Sequence, residues 1–219
     1  RSLRHATSTG TGAGLDAALA DLGWLDALES DPRAAISTLF HLQGDTNSTS
    51  SAVEVVLSTA LGIDGCIVLP APGRWDPPGA LAAGRLSVAG LGTAAIACTD
   101  TTTVVVATDD GHVAVRVPTA TLDLRAVRGL DPRFGLFEVH ADSLAVDPSA
   151  PAALGWSDGI RLARLAVGHE LLGASRKMLE LAREHALGRV QFGRPISAFQ
   201  AVRHRLADAL VAIETAEAM

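Results

Sequence analysis

The stretch Gly188–Gln200, reading GRVQFGRPISAFQ, decides how this chain is to be understood. Helical periodicity runs into it and out of it. Upstream, Ile160, Ala163, Val167, Leu171, Ala174, Met178, Leu181 and Ala182 recur at spacings of mostly three and four, predicting a single long helix of about 28 residues with one apolar stripe. Downstream, Phe199, Val202, Leu206, Leu210 and Ile213 predict a second helix beginning near Ala198, and so short a link predicts antiparallel packing of the two. Packing explains much of the corner. Gly193 can end the first helix and Pro195 keep it ended. Ser197 and Gln200 have the spacing of a capping box. Phe192, Ile196 and Phe199 are expected to fill the wedge between the helices. Arg189 and Gln191 are left over: polar groups at the mouth of a corner that needs neither.

Working outward, the composition of the 219 residues bounds the rest. Hydrophobic residues make up 48% and charged residues 19%, the balance of a chain with a buried core. Tyr is absent and aromatics amount to 4%, so that core is Leu, Val, Ile and Ala. The net charge is −6, and no Lys/Arg stripe is interleaved with aromatics, which argues against nucleic acid as a partner. No apolar run reaches the roughly 18 residues that a membrane span requires, and the opening RSLRHATSTGTGAG has no apolar stretch of secretory type. Cys66 and Cys98 lie far apart, in neither metal nor redox spacing, and read as free thiols of a cytoplasmic protein without a metal site. The last residues, ADALVAIETAEAM, stop in mid-pattern, so the helix is expected to continue past Met219.

The order along the chain is α, then β, then α. Residues 1–14 are rich in Ser, Thr and Gly and predict a flexible tail. Residues 15–63 predict a short helical domain: one helix from Leu15, a second opened by Asp31 as N-cap with Pro32 behind it, and a third from Ser51 to Leu61 closed by Gly62. Residues 64–150 predict a small antiparallel β domain, its clearest element the hairpin TTTVVVATDDGHVAVRV turning at Asp109-Asp110-Gly111. Residues 151–219 begin a second helical domain. The fold class is therefore α+β.

The corner string resembles one family. Arg189, Gln191, Phe192, Gly193, Pro195, Ile196, Phe199 and Gln200, followed by Leu206-Ala207-Asp208, are similar to the motif of the C-terminal helical domain of the acyl-CoA dehydrogenases. RLAVGHELLGASRKMLELAREHALGR looks like the long helix before that motif, LADLGWLDAL is similar to an N-terminal segment, and VRGLDPRFGLFEVHADSLAV resembles the last strands of the β domain. The resemblance implies N-terminal helices, a central antiparallel β domain and a C-terminal helical bundle. It also implies an FAD enzyme that desaturates an acyl-CoA thioester between its α and β carbons and hands electrons to an electron-transfer flavoprotein. Under it Arg189 matches the cation on the FAD pyrophosphate, Val190, Gln191 and Phe192 match its neighbours, and Phe199 and Gln200 match the pair opening the next helix, all serving an FAD seated mainly in an adjacent subunit. Arg164 matches an arginine beside the substrate.

The departures matter as much. The stretch where the family carries a Thr-Glu and a Gly-Ser-Asp around flavin and acyl-CoA reads VLPAPGRWDPPGA here, and only Thr93 offers itself as a substitute flavin contact. No base is evident: Ala163 stands where a minority of the family places its carboxylate, and Glu170, two turns on, reads as structural. A short N-terminal domain, a lost loop and a missing base resemble the degenerate subunit of the actinobacterial α2β2 acyl-CoA dehydrogenases of steroid catabolism, in which two unlike subunits share each FAD. The expectation is a heteromer with a second acyl-CoA dehydrogenase-like chain. A homomeric short- or medium-chain enzyme and a non-catalytic scaffold are the alternatives.

Overall fold

A computed structural model describes residues 2–129, 135–146 and 154–218. Five helices come first: α1 (Leu3–Thr9), α2 (Ala13–Asp21), α3 (Trp24–Ser30), α4 (Pro32–Thr46) and α5 (Ala52–Leu61). The flexible tail expected at residues 1–14 is thus a correction. Ser2 caps α1 by accepting from the His5 amide, and Ala6 and Thr7 are buried against the other helices. The stretch from Leu15 forms two helices rather than one, because Gly23 takes left-handed backbone between α2 and α3. Asp31 caps α4 as its sequence suggests, Oδ1 accepting from the Ala34 amide at 3.1 Å with Pro32 behind it, and Gly62 ends α5 at φ 64°.

The sheet follows. It comprises β1 (Cys66–Ile67), β2 (Leu69–Pro70), β3 (Gly79–Ala82), β4 (Arg85–Gly92), β5 (Thr101–Thr108), β6 (Gly111–Pro118), β7 (Asp123–Ala126) and β8 (Phe137–Ala145). Pairing is antiparallel except where β1 and β3 run parallel to β5, so the sheet is mixed rather than wholly antiparallel. The hairpin β5–β6 pairs in register from Thr101↔Pro118 to Thr108↔Gly111. The loop is therefore Asp109-Asp110, with Gly111 at φ 131° opening the return strand. Val104, Val106, Val115 and Val117 fill one face with Leu86, Val88 and Val139. On the other face Val105, Ile67 and Leu69 meet Leu57, Leu61, Trp156 and Ile160, which joins the sheet to helices on both sides of it in sequence.

The long helix α6 (Trp156–Gly188) runs 33 residues, then the short strands β9 (Val190–Gln191) and β10 (Arg194–Pro195) lead into α7 (Gln200–Glu217). The buried face of α6 differs from the apolar stripe read in sequence. Gly159, Ile160, Ala163, Ala166 and Gly173 face α4 and α5, whereas Val167, Leu171, Met178 and Leu181 are exposed, Leu171 at 64%. Small residues win the contact because they let the helix axes approach. A Cβ on Gly44 of α4 would collide with the Glu170 carbonyl oxygen, and one on Gly173 with that of His41. This crossing is also why α4 continues through Gly44-Asp45-Thr46, where the composition signals a break. Of the α7 stripe, Ile213 is buried and Val202 and Leu206 are partly covered. The expected domain boundary at 150–151, residues 130–134 of the strand motif and Met219 lie outside the described residues. Among the described residues no helix is long and apolar enough to cross a membrane. Both cysteines are free, Cys66 buried and Cys98 exposed.

Candidate functional site

The corner is a projecting hairpin. Helix α6 ends at Gly188, where its apolar periodicity runs out, and Gly193, five residues on, turns the hairpin rather than ending the helix. Gln191 pairs with Arg194, so Phe192 and Gly193 form a two-residue turn with φ of 52° and 76°. That mirror-image turn matches the twist of the two short strands, and glycine supplies half of it without cost. Phe192 supplies the other half, in a region bulky side chains seldom occupy. A further turn of 3-10 helix, Ile196–Ala198, separates the hairpin from α7. Ser197 sits inside that turn, and α7 starts at Gln200 after Phe199 with no side-chain cap, so the predicted capping box does not form. Nor does Phe192 fill the wedge, being 91% exposed.

Arg189, Val190, Gln191, Phe192 and Gln200 are all exposed, while Phe199 is partly covered. The Arg189 amide donates to the His185 carbonyl at 2.9 Å and its own carbonyl accepts from the Ile196 amide at 2.8 Å, fixing the backbone of the corner. Among the described residues its guanidinium has no carboxylate partner. The Phe199 ring lies between the Arg194 guanidinium, 4.3 Å from the ring centre, and the Phe192 ring, centroids 6.3 Å apart and edge to face. Beyond it, Gln200, Arg203, His204 and Ala207 line a surface cavity of about 350 Å³ on one side of the first turns of α7. Arg203 and His204 were missed in sequence. The signal was their position three and four residues after Gln200, which places all three on one helical face.

The chemistry of this corner fits part of a flavin nucleotide. An unpaired, permanently charged guanidinium suits a diphosphate. An exposed amide, two further basic side chains and apolar surface from Val190 and Phe192 suit the remainder. The fit covers one end of such a group only.

The other residues that the sequence points to lie elsewhere. Arg164 is on the third turn of α6, with its guanidinium 4.2 Å over the Trp75 ring. It borders a cleft of about 450 Å³ with Trp75, His112, Trp156 and Arg161. Twenty-four helical residues, 165–188, separate Arg164 from Arg189; at 1.5 Å per residue that is roughly 36 Å. Thr93 is buried, and its hydroxyl donates to Glu54 Oε2, so the expectation of a flavin contact there is corrected. Glu54 itself is buried and also accepts from the Ile67 amide at 3.1 Å, and burial raises its carboxyl above the usual range. Burial likewise raises Glu170, which does not line the cleft, in keeping with a structural role. Ala163 is buried against the helices.

The acyl-CoA dehydrogenase C-terminal domain matches residues 157–219, that is α6, the hairpin and α7. Over that segment the chain is similar to the acyl-CoA dehydrogenase family. Two curated relatives are the acyl-CoA dehydrogenases IpdE2 of Mycolicibacterium smegmatis, 41% identical over 76 residues, and of Mycobacterium tuberculosis, 47% identical over 57 residues. Those matches cover 34% and 26% of this chain but only 24% and 18% of the relatives. Among solved structures, the ChsE4–ChsE5 complex of Mycobacterium tuberculosis superposes with a TM-score of 0.68 at 20% identity, over 96% of this chain and 68% of the other. The steroid acyl-CoA dehydrogenase Tcur3481–Tcur3483 gives 0.66 at 21%, over 97% and 68%. The shared fold is that of the acyl-CoA dehydrogenases: N-terminal helices, a central sheet and C-terminal helices.

Proposed function

We propose that this acyl-CoA dehydrogenase chain is one subunit of a cytoplasmic, FAD-dependent heteromer that desaturates an acyl-CoA thioester between its α and β carbons. In this reading the chain shares the FAD with a second acyl-CoA dehydrogenase-like subunit and lends it the corner. One observation carries the proposal. Arg189 and Gln191 stand on an exposed hairpin some 36 Å along α6 from Arg164 at the chain's own cleft, which supports their serving a site in another molecule. An exposed guanidinium with no acid beside it is ready for a phosphate from outside. Names of relatives support the substrate class: fold neighbours include a complex of two unlike chains and a steroid acyl-CoA dehydrogenase, and a ring-bearing, steroid-derived thioester is the substrate we assign. An electron-transfer flavoprotein is the assigned electron acceptor.

When bound, FAD would supply the hydride acceptor. This chain's residues would hold its diphosphate end: Arg189 by a forked charge-assisted contact, Gln191 and Gln200 by amide hydrogen bonds, and Val190, Phe192 and Phe199 by apolar cover. None of the described residues is assigned the base. Arg189→Ala tests the reading. It should lower the FAD content of the purified complex with its partner at least ten-fold at limiting cofactor. Unchanged FAD content in a folded complex would mean that the chain is a scaffold and the site is not shared.

A further inference from the structure

We propose that Trp75 is a lid over this chain's own cleft, held shut by α6, so that this subunit does not take a flavin or an acyl-CoA thioester there. The inference rests on the reading of the chain as the subunit that lends its corner to a partner, and it says what became of the chain's own half. Trp75 belongs to the loop between β2 and β3, the stretch LPAPGRWDPPGA in which the Thr-Glu and Gly-Ser-Asp of the family are absent. The loop is stiff. It contains Pro72, Pro77 and Pro78, turns at Gly73 with φ 73°, and closes that turn with the Arg74 amide on the Ala71 carbonyl at 3.0 Å.

Two independent contacts fasten it to α6. The Trp75 carbonyl accepts the indole N–H of Trp156 at 3.0 Å, and Trp156 is buried and stacked on His112 with centroids 6.1 Å apart. That N–H is a lone donor in a buried ring, so lifting the loop would strand it. The second contact is the Arg164 guanidinium on the Trp75 indole face. Arg164 has no carboxylate partner among the described residues. The surface a flat ligand would use on this arginine is therefore already taken by a flat side chain.

The charges agree. The cleft is lined by two arginines, of which Arg161 pairs with Asp158 and Arg164 lies under Trp75, while Asp76 at the rim pairs with Arg74 at 3.4 Å. Among the described residues lining the cleft, neither arginine is without a partner for the anionic phosphates of an acyl-CoA. Trp75 is 44% exposed, as a lid covered on one face would be.

The test uses the complex of this chain with its partner and two probes, FAD and octanoyl-CoA. Trp75→Gly should bind octanoyl-CoA, or FAD beyond the wild-type stoichiometry, at least ten-fold tighter by calorimetry. Trp75→Phe should show no gain, because a ring still covers Arg164. Adding Arg164→Gln to Trp75→Gly should abolish the gain by removing the uncovered cation. No tighter binding in Trp75→Gly overturns the lid. So does weaker binding, which would make Trp75 part of an open site. Should Trp75→Gly fail to fold, Arg164→Gln alone gives the answer. Within this chain Trp24 and Trp156 are buried, so the acrylamide quenching that Trp75→Phe removes from the complex reports Trp75. Quenching should rise at least two-fold if Arg164 holds the lid, and an unchanged value overturns the proposal. Failure of the shared-site reading looks different: a wild-type complex whose FAD is indifferent to Arg189→Ala, with the octanoyl-CoA comparison at Trp75 still readable.

Discussion

Replacing Gly173 with alanine should unlock the α4–α6 crossing on which the helical layers depend. The new Cβ would collide with the His41 carbonyl oxygen, and would stand 2.9 Å from the His41 carbonyl carbon and 3.0 Å from the Asp45 amide nitrogen. Comfortable carbon contacts begin at about 3.5 Å. All three obstacles are backbone, so no side chain can swing aside and the helices must part by about 1 Å. Overpacking costs roughly 1–3 kcal/mol, and a backbone obstacle belongs at the upper end. Against this, alanine in a helix interior gains about 1 kcal/mol over glycine. The net expectation is a loss of about 2 kcal/mol. Gly168, five residues earlier on the same helix, is the control, because a Cβ there meets nothing within 4 Å. Gly168→Ala should gain about 1 kcal/mol from propensity alone. The two variants should differ by about 3 kcal/mol, a gap of roughly 6–12 °C in Tm for a chain of this size. Thermal and urea melts followed by circular dichroism would measure it. If the two variants melt within about 2 °C of each other, the close crossing is not what holds these helices together.

The remaining predictions concern the buried polar seam. Burial lifts the Glu54 carboxyl above its unfolded value, so the folded state holds its proton more tightly and stability should fall as pH rises from about 4.5 through the raised value. In Glu54→Gln the slope should become shallower, leaving the part that the raised Glu170 contributes, with the amide oxygen still accepting from Ile67; urea midpoints across pH 4–8 that show an unchanged slope would contradict this. Cys66 is buried, and burial beside the Glu54 charge pushes its thiol far above the usual range, whereas Cys98 is exposed. One equivalent of maleimide should therefore react in the native state, at Cys98, and a second only on unfolding; mass spectrometry finding Cys66 labelled first would contradict the packing of β1 on α5.

Much of the fold was legible because its signals are local. Asp31-Pro32 sets an N-cap through one side-chain oxygen, Gly62 ends a helix through its own φ, and the alternation around Asp109-Asp110 brings β5 onto β6. The expectations that failed were those settled by distant partners. Gly44-Asp45-Thr46 reads as a break but is helical, because Gly173 needs a bare backbone opposite it. The apolar stripe on α6 reads as core, and Ile160 and Ala163 are buried, yet beyond them the core took Ala166 and Gly173 and left Val167, Leu171, Met178 and Leu181 exposed. At the corner the residue types were readable, but Phe192 sits exposed in a strained turn instead of in a wedge, which depends on where two short strands pair.

Sequence alone determined the α+β class, the element order and the set of residues at Gly188–Gln200, since periodicity, caps and a specific string act over a few neighbours. Tertiary structure alone decided that Arg189 and Arg164 stand at opposite ends of one rigid helix, that Thr93 is spent on Glu54, and that Trp75 covers Arg164. Each is a contact or a separation between segments tens of residues apart. The chain encodes such relations only through the packing of its whole core.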